Sequence, residues 1–209
     1  MKKLDSYLSD IDLIRLRRAK ELSEVKSCFA SSSDRLPYQV NTKAVIVLAY
    51  SHWEGFYNDC IDVYLSFLRD SGRTVSNTQW SMLAGIVSTE LDRIRDRNHS
   101  PQARLEFVQT LSVLMASDFS GFQASIVLAR SNLDFAKLKQ NYQILGFDLA
   151  KFQPKRIRID KELVGWRHQV AHGDNPDLSL ADSKCHIKFT QDLILALADQ
   201  FQEAIVSIY

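Results

Sequence analysis

The chain has 209 residues, 45% of them hydrophobic and 24% charged, a balance that fits a folded domain and excludes whole-chain disorder. Lys and Arg number 26 against 25 Asp and Glu, a formal net charge of +1, so nucleic-acid binding as a global polycation is excluded and only local patches remain for it. Cys28, Cys60 and Cys185 are odd in number and far apart, with no CxxC pair, so free thiols in a reducing cytoplasm are expected.

Residues 1–7 carry two lysines and no apolar run, so no signal peptide is expected there. The periodicity is helical almost throughout, and only seven Gly and four Pro punctuate it. Leu4, Leu8, Ile11, Leu22, Val25 and Phe29 form the stripe of a first helix, broken at Ser31–Asp34 and Pro37. A second helix is expected over about residues 40–69. Val45, Leu48, Phe56, Val63 and Phe67 line one side of it, and Trp53, Tyr57, Ile61, Tyr64 and Leu68 another. A helix apolar on two sides is central to its domain. Between the two sides runs a polar line, Ser51, Glu54, Asn58 and Asp62, which either faces solvent or lines something. Its longest apolar run, Ala44–Tyr50, is too short to cross a bilayer.

Residues 75–97 read as a third helix, followed by a turn at Asn98–Pro101 and helical pieces at about 102–117 and 121–130. Asn132-Leu133-Asp134 caps a helix that runs to Leu145 and stops at Gly146. Residues 151–158 form a basic connector, and a helix over 160–172 ends at Gly173. Ser179 and Asp182 cap the last helix, with Ile194, Leu197, Phe201, Ile205 and Ile208 on one face. The expected fold is all-α, a bundle of long antiparallel helices with shorter ones packed across them. It spans residues 1–209 as one domain, with 1–36 a helix and connector and 37–209 the core.

The segment Gly165–Asp174 carries the chemistry. Arg167 binds phosphate through paired hydrogen bonds and keeps its charge at neutral pH. His172 is an imidazole able to take or give a proton. Beside RNA, His172 would remove the proton from a ribose 2′-hydroxyl and Arg167 would stabilise charge on the attacked phosphate, without a metal. Five residues on an ideal helix separate the two side chains by about 140°. They therefore meet only through unwinding, long reach, or pairing of two chains. The spacing equally fits structural roles, an Arg at an apolar margin and a His ending a helix.

Between residues 151 and 167, six basic side chains stand against two acidic ones. Lys155, Arg156 and Arg158 are the candidate RNA contacts in this stretch, which otherwise reads as a solvated loop and helix start. His168 and His172 share a helix face, as zinc ligands do, but no third ligand has a telling spacing, so no metal is expected. His52 and the three tryptophans, Trp53, Trp80 and Trp166, read as core, His99 as a turn residue, and Asp174 and Asp177 as loop or cap residues. No P-loop, dinucleotide fingerprint or serine-nucleophile motif is present.

Trp166-Arg167-His168-Gln169-Val170-Ala171-His172-Gly173 resembles the Arg-x4-His motif of the HEPN superfamily. Leu48-Ala49-Tyr50-Ser51-His52-Trp53-Glu54-Gly55-Phe56 is similar to the second-helix region of its RiboL-PSP and MAE-like branches. Asn132-Leu133-Asp134 and Leu145-Gly146-Phe147 resemble their intermediate region. The likeness runs from about residue 40 to the C-terminus. It implies an all-α fold, a homodimer, and in active members a cofactor-free, metal-independent endoribonuclease. Many such proteins act in toxin–antitoxin or antiviral systems, so RNA and an antitoxin or other regulatory protein are the implied partners, and no membrane. Arg167 and His172 match the catalytic positions. The family's polar residue after the Arg, often Asn, is here His168, in a supporting position with Glu54. A non-catalytic module binding RNA, a nucleotide or a partner protein is the alternative.

Overall fold

A computed structural model of the protein describes residues 4–30, 40–130, 132–174, 176 and 178–209. Among them the regular structure is entirely helical. The break expected at Ser31–Asp34 and Pro37, and Asp177, lie outside the described residues.

Helix α1 (Leu4–Ala30) and helix α2 (Val40–Asp70) are long and pack side by side. Tyr7 and Ile11 near the start of α1 and Leu22 further along it are buried, and the Tyr7 hydroxyl donates to Asp70 at the end of α2. Burial and that bond push the Tyr7 phenol up to about 12. Midway, the Arg18 guanidinium holds the Asp59 carboxylate, with an Nε···Oδ2 distance of 3.2 Å. The wholly apolar side of α2 is sealed: Trp53, Tyr57, Ile61, Tyr64 and Leu68 are all buried. On the other side Val45, Phe56 and Phe67 are buried, but Leu48 is partly exposed and Val63 half-buried.

Residues 75–97 are not one helix. Short 3-10 turns at Val75–Asn77 and Trp80–Met82 lead into α3 (Leu83–Ile86) and α4 (Ser88–Asp96). Tertiary contacts outcompete local periodicity here. The Val75 N–H donates to the Ser117 carbonyl at 3.2 Å, and the Gln123 N–H to the Gly85 carbonyl at 3.0 Å. The Phe122 ring lies against Gly85 so closely that a Cβ there would come within 2.3 Å of it. Trp80, expected in the core, is 58% exposed as a result of this broken path. Asn98 and His99 turn with positive φ into α5 (Pro101–Ala116), capped by Ser100.

Residues 121–130 do not form the expected helix either. They hold the end of a 3-10 turn at Phe119–Gly121, another at Ala124–Ile126 and otherwise irregular backbone, several of whose polar groups are met by side chains. The Tyr57 hydroxyl donates to the Val127 carbonyl at 2.8 Å. The Asn58 amide exchanges two bonds with Ala129, at 3.1 and 2.9 Å. Asn141 donates to Val127 at 2.6 Å and to the Tyr57 oxygen at 2.8 Å.

Asp134 caps α6 (Phe135–Leu145) by accepting the Lys137 N–H, and Gly146 ends it in the left-handed conformation, as expected. The basic connector is itself helical, a 3-10 turn at Gln153–Lys155 running into α7 (Arg156–Arg158). A π-helix (Ile159–Gly165) continues it into α8 (Trp166–Ala171). The last helix, α9 (Leu180–Ile208), opens with a capping box made by Ser179 and Asp182. It packs on both α1 and α2. An aromatic cluster fills the centre, with Tyr64, Tyr142, Phe147 and Phe201 in edge-to-face contact at 5.1–5.9 Å.

Candidate functional site

The site forms where α8 crosses α2. Two side chains of α2 hold the backbone of Leu133: the Leu133 N–H donates to the Tyr50 oxygen at 2.8 Å, and the Trp53 indole donates to the Leu133 carbonyl at 3.0 Å. Two of the segments singled out in the sequence are thus one hydrogen-bonded unit. The Tyr50 hydroxyl in turn donates to the Glu54 carboxylate one turn along α2. Burial first, and then the bond to Glu54, hold the Tyr50 phenol far above its ordinary range, so it stays neutral.

Arg167 lies on the outer face of that unit. Its guanidinium carbon is 5.0 Å from the centre of the Tyr50 ring, within cation–π range. Arg167 is half-buried and Glu54 also half-buried. Tyr50 touches both Glu54 and Arg167 and so links the polar line of α2 to α8.

The π-helix is the main departure from the expected helix over residues 160–172. Its wider turn is one of the few irregularities that recur at functional sites. Within it, the Asp160 carboxylate accepts the Phe135 N–H at 2.9 Å, adding a second acceptor at the start of α6 to the Asp134 cap. Beyond it, Trp166 packs on the His186 ring of α9 with centroids 5.1 Å apart. His186 is 1% exposed, and neither ring nitrogen has a hydrogen-bond partner. Burial depresses it to about 4, with Glu162 raising and Arg158 lowering it to lesser extents.

His172 stands just past the last turn of α8. Its N–H donates back to the His168 and Gln169 carbonyls at 3.0 and 3.1 Å. Gly173 then swings away with φ +89°, a conformation that glycine adopts freely, and the Asp174 N–H closes the cap on the Gln169 carbonyl at 2.9 Å. His172 is exposed beside the exposed His168, their ring centres 5.0 Å apart. Among the described residues no hydrogen bond, ion pair or ring contact joins Arg167 to His172. The structure therefore brings together Arg167, Tyr50 and Glu54, and separately His168 and His172.

The three candidate RNA contacts line one ramp. Arg158 is committed within the protein: it pairs with Glu162 at 2.9–3.0 Å and stacks on the Phe189 ring at 3.9 Å. Arg156 lies 3.9 Å from Asp160 with its side chain 62% exposed, and the half-buried Lys155 lies over Phe152 at 5.8 Å. His52 is half-buried against α1 rather than sealed in the core, its Nδ1 3.6 Å from Glu21. Burial, reinforced by Arg18, lowers its basicity.

Sequence reasoning passed over Tyr50, Asn141 and His186 as individual residues. Asn141 had a signal, a lone amide among Leu138, Tyr142 and Leu145 on the buried face of α6. Tyr50 had one too, standing four residues before Glu54. His186 had none.

A family model described as RiboL-PSP-HEPN matches residues 14–203. No curated protein matches the chain, and no solved structure does. Among the described residues no helix is long and apolar enough to cross a membrane.

Proposed function

Because the chain belongs to the RiboL-PSP-HEPN family, we propose that it is a metal-independent endoribonuclease in which Arg167 and His172 carry the chemistry. His172 takes the proton of a ribose 2′-hydroxyl. The 2′-oxygen attacks the adjacent phosphorus, the bond to the 5′-oxygen breaks, and that oxygen takes a proton from water to leave as a 5′-hydroxyl. Arg167 stabilises the charge on the non-bridging oxygens. The products carry a 2′,3′-cyclic phosphate and a 5′-hydroxyl.

The observation that carries this reading is the support given to Arg167: a guanidinium on the face of Tyr50, which Glu54 and Leu133 hold in place. A purely surface arginine needs no such bed. His172 and His168 remain open to solvent at a capped helix end, where a large substrate has access. Arg167 and His172 make no contact with each other in one chain, which favours a homodimer whose two motif helices together line the RNA groove. Lys155 and Arg156 extend that groove with positive charge, and Arg158 joins it by exchanging Glu162 for phosphate. In this reading the protein is a cytoplasmic toxin or antiviral effector, held in check by an antitoxin or other regulatory protein.

The same lack of contact between Arg167 and His172 also favours a second reading, a non-catalytic HEPN module that binds RNA, a nucleotide or a partner. The experiment that separates them is incubation of the purified protein with mixed RNA in EDTA, followed by end-group analysis. Cleavage with cyclic phosphate ends is expected. Intact RNA bound equally well by the parent and by an Arg167→Ala/His172→Ala variant would favour the binding module.

A further inference from the structure

The exposed rings of His168 and His172 are separated by a distance that a two-imidazole metal chelate also has. Zinc-to-nitrogen bonds of about 2.0–2.1 Å put each ring centre about 3.2 Å from the metal, so two imidazoles on a tetrahedral ion have centres about 5 Å apart. At the right angle of an octahedral ion the separation is about 4.5 Å by the same construction. The observed separation is 5.0 Å.

The backbone brings the two residues onto neighbouring turns. The His172 N–H closes on the His168 carbonyl at 3.0 Å, which fixes the two residues one turn apart even though His172 lies outside the helix. The cap made by Gly173 and Asp174 then holds the turn shut. Both rings are exposed, and neither has a hydrogen-bond or ion-pair partner among the described residues. Among the described residues no third His, Cys, Asp or Glu joins them.

We infer that His168 and His172 form an exchangeable site for a divalent transition cation, zinc or copper, and that its occupation inhibits the protein by engaging the His172 imidazole. The inhibitory consequence rests on the ribonuclease reading of His172; cation binding does not. Imidazole suits these ions, and copper binds such ligands more tightly than zinc. The expectation of no metal, drawn from the missing third ligand, therefore changes in kind. The chemistry needs no metal, and a metal opposes it.

The test is calorimetric titration of the full chain, stripped of metal, with zinc chloride. Parent protein is expected to bind one zinc per chain, or one per two chains if two copies pool their pairs. Loss of an outer-shell partner alone weakens metal sites by about 10–100-fold, so His168→Gln and His172→Gln, each removing a ligand outright, are expected to weaken binding at least tenfold. Absence of zinc binding by the parent, or equal binding by both variants, overturns the site. In a second arm, RNA cleavage by the parent is compared with zinc and after EDTA is added back. Reversible loss of cleavage is expected. Zinc binding with undiminished cleavage overturns the inhibitory role, and absence of cleavage under every condition overturns the ribonuclease reading while the calorimetry still decides the site.

Discussion

Replacing His186 with Leu should remove a large part of the protein's acid sensitivity. His186 is 1% exposed between α9 and Trp166, with both nitrogens unpartnered, and burial depresses it from 6.5 to about 4. In the unfolded chain the same imidazole takes up its proton near 6.5. Between those values the unfolded state therefore holds more protons than the folded one, and stability rises with pH. The contribution is intact above about pH 6.5 and is lost as pH falls toward about 4. A shift of this size corresponds to about 3 kcal/mol, since one unit is about 1.4 kcal/mol. Urea unfolding of parent and His186→Leu at about pH 7.5 and about pH 4.5 measures it. The parent should lose about 2–3 kcal/mol more than the variant between the two conditions. At the higher pH the variant should be as stable as the parent or more so, because it no longer buries unsatisfied nitrogens. Parallel losses in the two proteins would refute the reasoning and mean that His186 has a partner or reaches water.

Tyr50→Phe keeps the ring beneath Arg167 but leaves the Leu133 N–H without its 2.8 Å acceptor, so it should cost about 1–3 kcal/mol of stability, read by the same unfolding experiment. Tyr50→Leu removes the ring as well and should reduce RNA cleavage beyond the effect of Tyr50→Phe in a folded-fraction-matched assay. Asn141→Leu cuts the bonds to Val127 and Tyr57 and leaves the Val127 carbonyl with the Tyr57 hydroxyl as its side-chain donor, so it should destabilise by about 1–2 kcal/mol and loosen residues 121–130 in hydrogen exchange.

The long helices were legible because their signals are local. The apolar rows of α2, the Asp134 and Gly146 caps of α6, and the Ser179–Asp182 box of α9 lie within a few residues of what they control. Residues 75–97 and 121–130 were misread because their conformation is set from a distance. Phe122 settles on Gly85, and side chains of Tyr57, Asn58 and Asn141 replace the bonds that a helix would have made. Trp80 followed that error out to the surface. The π-helix was not legible at all, since an apolar pattern over seven residues does not separate 3.6 residues per turn from a wider turn. At the site, ideal helix geometry sets Arg167 and His172 about 140° apart, and among the described residues no contact joins them. The bed beneath Arg167 was not legible, because it depends on Leu133, whose backbone rather than side chain ties Tyr50 and Trp53 together. The spacing of His168 and His172 in sequence suggested a metal pair, but only their 5.0 Å ring separation gives it weight.

The central claim is that the imidazole of His172 moves the proton in RNA cleavage. It is tested most directly by comparing parent and His172→Ala on the same RNA in EDTA, with circular dichroism and unfolding midpoints to establish that both are folded. His172 is exposed at a capped helix end, so the substitution should leave the fold intact. The account predicts a fall in cleavage rate of at least about 100-fold, the low end for loss of general acid–base help. Cleavage at the parent's rate by a folded His172→Ala protein would contradict it.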